Sequence, residues 1–377
     1  MLRFSLKKII IGLCPFMVVF YYWTNLYRMT DNSAVPYMIM VAAVGFWGLM
    51  LLIHNKLLNR KSLFKILLCY MLFGFLNYVF IGNVGFSDVC TDLLTYGITI
   101  VMFVYPIKYY QGVISFYVSC GFFVSAFYSG ALTHGLLTSS GNYISILLIL
   151  AAAIYYIGLQ NKTNQFSFRD VVPALLCFLL SIWALGRGGI ISTAFLLFFV
   201  IVILFRQKIK EGKVRYKYLL FLVVIVVVFF IFKGFSLIDE FMSLGKLGRK
   251  GFETPRPQMW ASYLSKMSES LAYIFLGTPL AQVPSMHYVG DNCHNSFLQL
   301  HAYDGLLIFM CFFILLYKSV KYMYSRKLYA MLAITLTIVM RGMTDKFIFG
   351  QYGMPIMLYL VFYPFAYVQE KKLANVK

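Results

Sequence analysis

Runs of roughly twenty apolar residues, each long enough to cross a hydrocarbon core about 30 Å thick as a helix, recur along this chain with short polar connections between them. That pattern leaves few folds open. Candidate spans fall at 9–24, 36–53, 63–82, 92–107, 112–130, 142–159, 171–185, 188–205, 218–232, 295–317, 328–345 and 353–368. A membrane barrel would instead show alternation in segments of about ten residues, a period missing here. Of 377 residues 61% are hydrophobic and 12% charged, whereas a water-soluble domain has about a quarter charged. The expected fold is therefore an all-α polytopic membrane protein, with about twelve transmembrane helices in a single domain over residues 1–377. The first span follows Arg3, Lys7 and Lys8 as a signal peptide would. No small-residue cleavage site follows it, and Tyr21-Tyr22-Trp23 reads as an interfacial anchor of a retained helix.

The net charge of +20 suits a nucleic-acid partner only if it forms a patch. Instead most basic residues fall on alternate connections, as with Arg60, Lys61, Lys108, Lys162, Arg206, Lys208, Lys210, Lys321 and Arg326. This positive-inside bias puts both termini in the cytoplasm and residues 233–294 outside, and argues against nucleic acid. Of seven cysteines, Cys14, Cys69, Cys120, Cys177 and Cys311 fall within spans as small buried hydrophobes. Cys90 and Cys293 face the outside, as a pair or as two free thiols. No internal repeat is visible.

Residues 233–294 form the one long polar insertion, where chemistry or recognition can face water. Within it an amphipathic helix is expected at about 258–275, with Trp260, Leu264, Met267, Leu271 and Ile274 or Phe275 on one face and Gly277 past its end. Arg256 stands at its N-terminus, where unpaired amides favour anions; the bland alternative is a solvated basic loop with Lys246, Arg249 and Lys250. Arg187 sits in Gly186-Arg187-Gly188-Gly189, either a close-approach site for an anionic ligand or a snorkelling helix end. The loop closes at Asp291-Asn292-Cys293-His294-Asn295, with Asn292 or Asn295 as helix cap. An imidazole here, His294, can serve as a base around neutral pH. His301 follows two turns later. Asp304 lies about 13 Å along the same helix from Asn295, deep enough to be a functional candidate or the partner of a neighbouring helix. Asp291, His294 and His301 are wrongly spaced for a closed metal site on one helix face. Arg341 and Asp345, four apart, either pair or hold each other ready for a ligand. Topology puts Arg187, Arg256, His294, Arg341 and Asp345 on one side, a set suited to a diphosphate and a hydroxyl to be activated.

In Gly186-Arg187-Gly188-Gly189, Arg256 with Trp260 four residues on, His294-Asn295 with Leu298 before a helix containing Gly305, and the Thr344-Asp345 turn, the chain resembles the O-antigen polymerase and O-antigen ligase superfamily of bacterial membrane glycosyltransferases. The resemblance covers roughly residues 170–350. It implies a C-type glycosyltransferase-like fold in the inner membrane, with the active site facing the periplasm. The implied donor and acceptor are undecaprenyl-diphosphate-linked oligosaccharides within the membrane lipid, with no cofactor and no metal, and with a chain-length regulator as partner. Carried onto this chain, Arg187 and Arg256, with Arg341, would hold the diphosphate. His294 would activate the attacking hydroxyl and the anomeric centre would invert. Asn295, His301, Asp304 and Asp345 would support it. The family often has Gly or Glu near the position of Asp304, which leaves that role open.

Within the superfamily a repeat-unit polymerase is favoured over a ligase that transfers the chain to lipid A core. A lipid-linked oligosaccharide flippase is the rival from another class. It fits less well, since the basic residues gather at the rim and no Gly/Pro-broken spans match between halves.

Overall fold

The computed structural model describes residues 17–30, 68, 72, 74–83, 95–103, 105–129, 142–163, 165–184, 186–212, 256–287, 292–349 and 353–374. The expected spans at 36–53 and 218–232 lie outside them, as do 233–255 and 288–291 of the long loop and Cys90. The described residues are helical, with no strand among them. The helices are α1 (Met17–Thr30), α2 (Tyr109–Tyr128), α3 (Asn142–Lys162), α4 (Val172–Trp183), α5 (Arg187–Lys210), α6 (Arg256–Ser268), α7 (Leu271–Leu276), α8 (Pro284–His287), α9 (Ser296–Ser325), α10 (Tyr329–Gly342) and α11 (Met354–Ala374). Among the described residues four helices, α2, α3, α5 and α9, are long and apolar enough to cross a membrane, and α10 and Met354–Phe365 are shorter apolar helices.

Helix α3 is the axis of the bundle. Every residue from Ile144 to Gln160 is buried, which fits a helix that is apolar all round. Helices α2 and α5, which pack on it, and α9 show the reverse of a soluble pattern. In α5 only 33% of the most apolar stretch is buried, and Ile191 and Phe198 point outward. On α9 Leu307, Met310, Ile314 and Tyr317 form one exposed stripe. Faces this apolar are compatible with a lipid surround. Packing between α2 and α3 is closest at Gly112, where a Cβ would lie 2.5 Å from the Tyr155 Cα, the small-residue contact that lets membrane helices approach.

Several elements differ from expectation. Helix α4 has 12 residues and continues directly from a 3-10 turn at Phe168–Val171. The first helix runs on to Thr30, and Tyr22 is no anchor: it is buried and donates to the Leu147 carbonyl at 3.0 Å. Cys311 is exposed, not buried. Helix α9 reaches Ser325 but breaks at Gly305, whose φ of 75° is left-handed. A Cβ there would strike the Phe275 carbonyl, so the kink seats the end of α7 against α9.

The amphipathic helix expected at 258–275 is two helices. Ser270 takes an extended conformation and its side chain caps α7 through the Ala272 N–H, so Ser268-Glu269-Ser270 restarts the helix. The buried face also shifts. Met259 and Tyr263 form a separate small core with Leu280, Val283, Met286, Cys293 and Ala302, flanked by Trp260 and Met267. Leu264, Leu271 and Phe275 are exposed. The loop thus has its own core, seated on the start of α9.

Candidate functional site

Antiparallel connections bring the starts of α3, α5 and α9 and the end of α10 to one end of the bundle. Local sequence explains each. Asn295 caps α9, accepting from the Phe297 and Leu298 N–H groups at 2.9 and 3.2 Å, so of the two candidate caps it is Asn295 that serves. Helix α5 starts at Arg187 after an extended Gly186. A Cβ on Gly188 would lie 2.7 Å from Thr344 Oγ1 and 3.2 Å from Arg341 Nη1, and one on Gly189 would collide with Ser145. The two glycines therefore let α5 dock against α3 and the turn after α10. This packing fixes Arg187, half-buried at the rim, beside that turn.

In the turn Arg341 is 2% exposed. Its Nη2 donates to Asp345 Oδ2 at 3.1 Å and to the Asn142 carbonyl at 3.4 Å, and Nη1 donates to Thr344 Oγ1 at 3.0 Å. The i, i+4 pair is thus closed and internal. Arg341, expected as a diphosphate ligand, stands behind the surface and braces Asp345.

Asp345 faces His294 with its other oxygen. Its Oδ1 accepts from the Lys346 N–H at 2.9 Å and lies 3.6 Å from His294 Nδ1, an ion-pair distance slightly beyond a hydrogen bond. Burial pushes the Asp345 carboxyl up, but the His294 imidazole, the Arg341 guanidinium and the Lys346 N–H outweigh it, leaving the carboxyl below the ordinary carboxylate value. A carboxylate fixed beside one imidazole nitrogen orients the ring. Nδ1 is itself buried while the side chain is 30% exposed, so the accessible edge is the one turned away from Asp345. His294 also has a φ of 46°, a left-handed conformation uncommon outside glycine, though more accessible to histidine than to most residues. Its N–H donates to Asn292 Oδ1 at 2.7 Å, which holds the turn.

The loop brings the remaining cation. Trp260 Nε1 donates at 2.9 Å to the carbonyl of Cys293, the residue before His294, and Arg256 opens α6 one turn earlier. Arg256 is half-buried and lies within electrostatic range of the Arg341 guanidinium. Neither Arg187 nor Arg256 forms an ion pair with another described residue. Two guanidiniums without an ion pair among the described residues, at the same end of the bundle as an imidazole that faces a carboxylate, can hold a diphosphate-sized anion and accept a proton next to it.

His301 and Asp304 take other positions. His301 Nε2–H donates to the Ile274 carbonyl at 3.0 Å, and Nδ1 accepts from the Tyr263 hydroxyl at 2.6 Å. Burial raises the Tyr263 phenol well above its ordinary value, so it remains a donor. Both ring nitrogens are occupied, and His301 pins α6 and α7 to α9. Asp304 is buried at the Gly305 kink, with the expected Cβ position of Gly74 3.5 Å from its Oδ1. Cys293 is a free thiol buried against Met286. Burial pushes the thiol up to about 12.

Sequence reasoning missed Asn77 and Asn83. Asn77 donates to the Leu276 and Ala302 carbonyls at 2.8 Å each, and Asn83 donates to Ala302 and accepts from the Leu280 N–H. Together they tie the loop to the carbonyl that the kink releases. Asn77, polar in the middle of an apolar run, was the available signal.

Neither a protein-family model nor a curated protein sequence matches the chain. The family resemblance therefore rests on the residues just described and their order.

Proposed function

We propose that this chain is a bacterial inner-membrane glycosyltransferase with a C-type glycosyltransferase-like fold: a polysaccharide repeat-unit polymerase for O-antigen, capsule or exopolysaccharide. In this reading both termini are cytoplasmic and the His294 end of the bundle faces the periplasm. The carrying observation is that Arg187, Arg256, His294 and the Arg341–Asp345 pair, drawn from four separate segments, gather at one end of an apolar helical bundle. An imidazole facing a carboxylate, with two arginines at the same end of the bundle, supplies the groups needed to move a sugar from a diphosphate to a hydroxyl.

The chemistry follows from those groups. Arg187 and Arg256 grip the diphosphate of an undecaprenyl-diphosphate-linked glycan and stabilise the charge that grows as it leaves. A hydroxyl of the acceptor repeat unit attacks the anomeric carbon from the opposite face, the carbon–oxygen bond to phosphate breaks, and the configuration inverts. His294 takes the hydroxyl proton at its accessible edge. Asp345, braced by Arg341, orients the ring. A chain-length regulator is the partner this reading expects.

The test is the polysaccharide of cells carrying His294→Ala or Arg256→Ala at normal protein levels. Single repeat units in place of long chains support the polymerase. Long chains stranded on the lipid carrier would instead identify a ligase. Unaltered chain lengths in both variants overturn the assignment.

A further inference from the structure

At the opposite end of α3 from the candidate site lies an open groove of about 530 Å³ between residues 106–110 and the end of α3. Its base is fixed. Asn161 Nδ2 donates to the Ile107 carbonyl at 2.9 Å, and a Cβ on Gly158 would sit 2.9 Å from the Lys108 carbonyl, so chain and helix touch there. Lys108 and Lys162 line the groove and both are exposed. The Lys162 ammonium rests 4.5 Å from the centre of the Tyr109 ring, which holds that charge beside the groove. Among the described residues no carboxylate lines it. The nearby Asp170 is buried and committed to Tyr155 and Ser167, which donate at 2.7 and 2.6 Å. From the groove an exposed stripe of α2, Tyr110, Ile114, Tyr117 and Val118, runs along the helix. Residues at i, i+4, i+7 and i+8 share one face.

We propose that this groove binds an anionic phospholipid of the surrounding leaflet, with its phosphate between Lys108 and Lys162 and an acyl chain along the α2 stripe. Charge complementarity chooses the headgroup. The continuous apolar stripe calls for a lipid, since a soluble anion would leave that face uncovered. Tyrosine and lysine at a helix end are the side chains that favour the lipid headgroup level.

The experiment titrates dioleoyl-phosphatidylglycerol into the detergent-solubilised full chain and counts bound lipid by native mass spectrometry. Each lysine near an anionic surface is worth about fivefold in binding, so Lys108→Gln with Lys162→Gln weakens the site about 25-fold. Lys162→Arg keeps its affinity, and Lys208→Gln with Lys210→Gln, at the same end of the bundle, leaves it unchanged. Lys108, Lys162 and Lys210 are exposed, Lys208 is half-buried and paired with Glu211 at 3.0 Å, and the circular dichroism spectrum of each variant checks its fold. Equal binding of phosphatidylcholine, equal binding of glycerol phosphate without chains, or full affinity in the Lys108/Lys162 variant each overturns the proposal.

Discussion

Replacing Asp345 with Asn removes one charge and almost no volume, and so isolates what that charge does. Asp345 is 5% exposed and its partner Arg341 2%, so the substitution leaves a guanidinium inside the protein without its carboxylate. Removing one member of a buried ion pair costs about 3–5 kcal/mol. The amide can still accept from the Lys346 N–H, which Oδ1 now does at 2.9 Å, so the loss is electrostatic. The sign with pH is fixed. The folded carboxyl lies below its ordinary value of 3.8, so its stabilisation is fully present above that value and disappears as pH falls through the lower folded value. Thermal unfolding of the detergent-solubilised protein measures both effects. At pH 7 the Asn variant should melt well below the parent, and the gap should shrink in acid below 3.8. A variant as stable as the parent at pH 7, or a gap unchanged down to the acid limit, would refute the buried-pair argument.

Three other substitutions probe separate parts of the account. Gly305→Ala places a methyl on the Phe275 carbonyl at a φ of 75° and should cost about 2–5 kcal/mol from backbone strain and overpacking, read as lost thermal stability. Gly188→Val drives side-chain atoms into Thr344 and Arg341; its expected result is loss of long-chain polysaccharide together with a lower melting temperature. His294→Gly relieves the left-handed backbone at φ 46°, so melting should hold within about 1 kcal/mol while chain extension disappears. Retained extension in that variant would remove His294 from the chemistry.

How much of this was legible beforehand varies by residue, for physical reasons. Asn295 was legible as a cap because a helix start is a local matter, settled within a few residues. The Arg256-to-Trp260 spacing likewise survives because it lies within one helix. The face of α6 was not. Leu264 is as apolar as Met259, and beside lipid an apolar residue gains by pointing outward as well as inward. Hydropathy also could not show that Arg341 is internal, because an i, i+4 pair has the same spacing at the surface. The contacts of Asn77 and Asn83 reach across about two hundred residues, and the Gly305 kink depends on α7 lying against α9. No window of sequence contains either.

The central claim is that His294, facing a braced carboxylate at the end of the bundle that also holds Arg187 and Arg256, transfers sugar from a lipid diphosphate. The most direct measurement reconstitutes the purified chain in vesicles with an undecaprenyl-diphosphate-linked repeat unit and follows oligosaccharide length and released undecaprenyl diphosphate. The account predicts chains of several units from the parent, one carrier released per bond formed, and neither product from His294→Ala. Chains of equal length from both proteins, or consumption of donor without elongation by the parent, would contradict it.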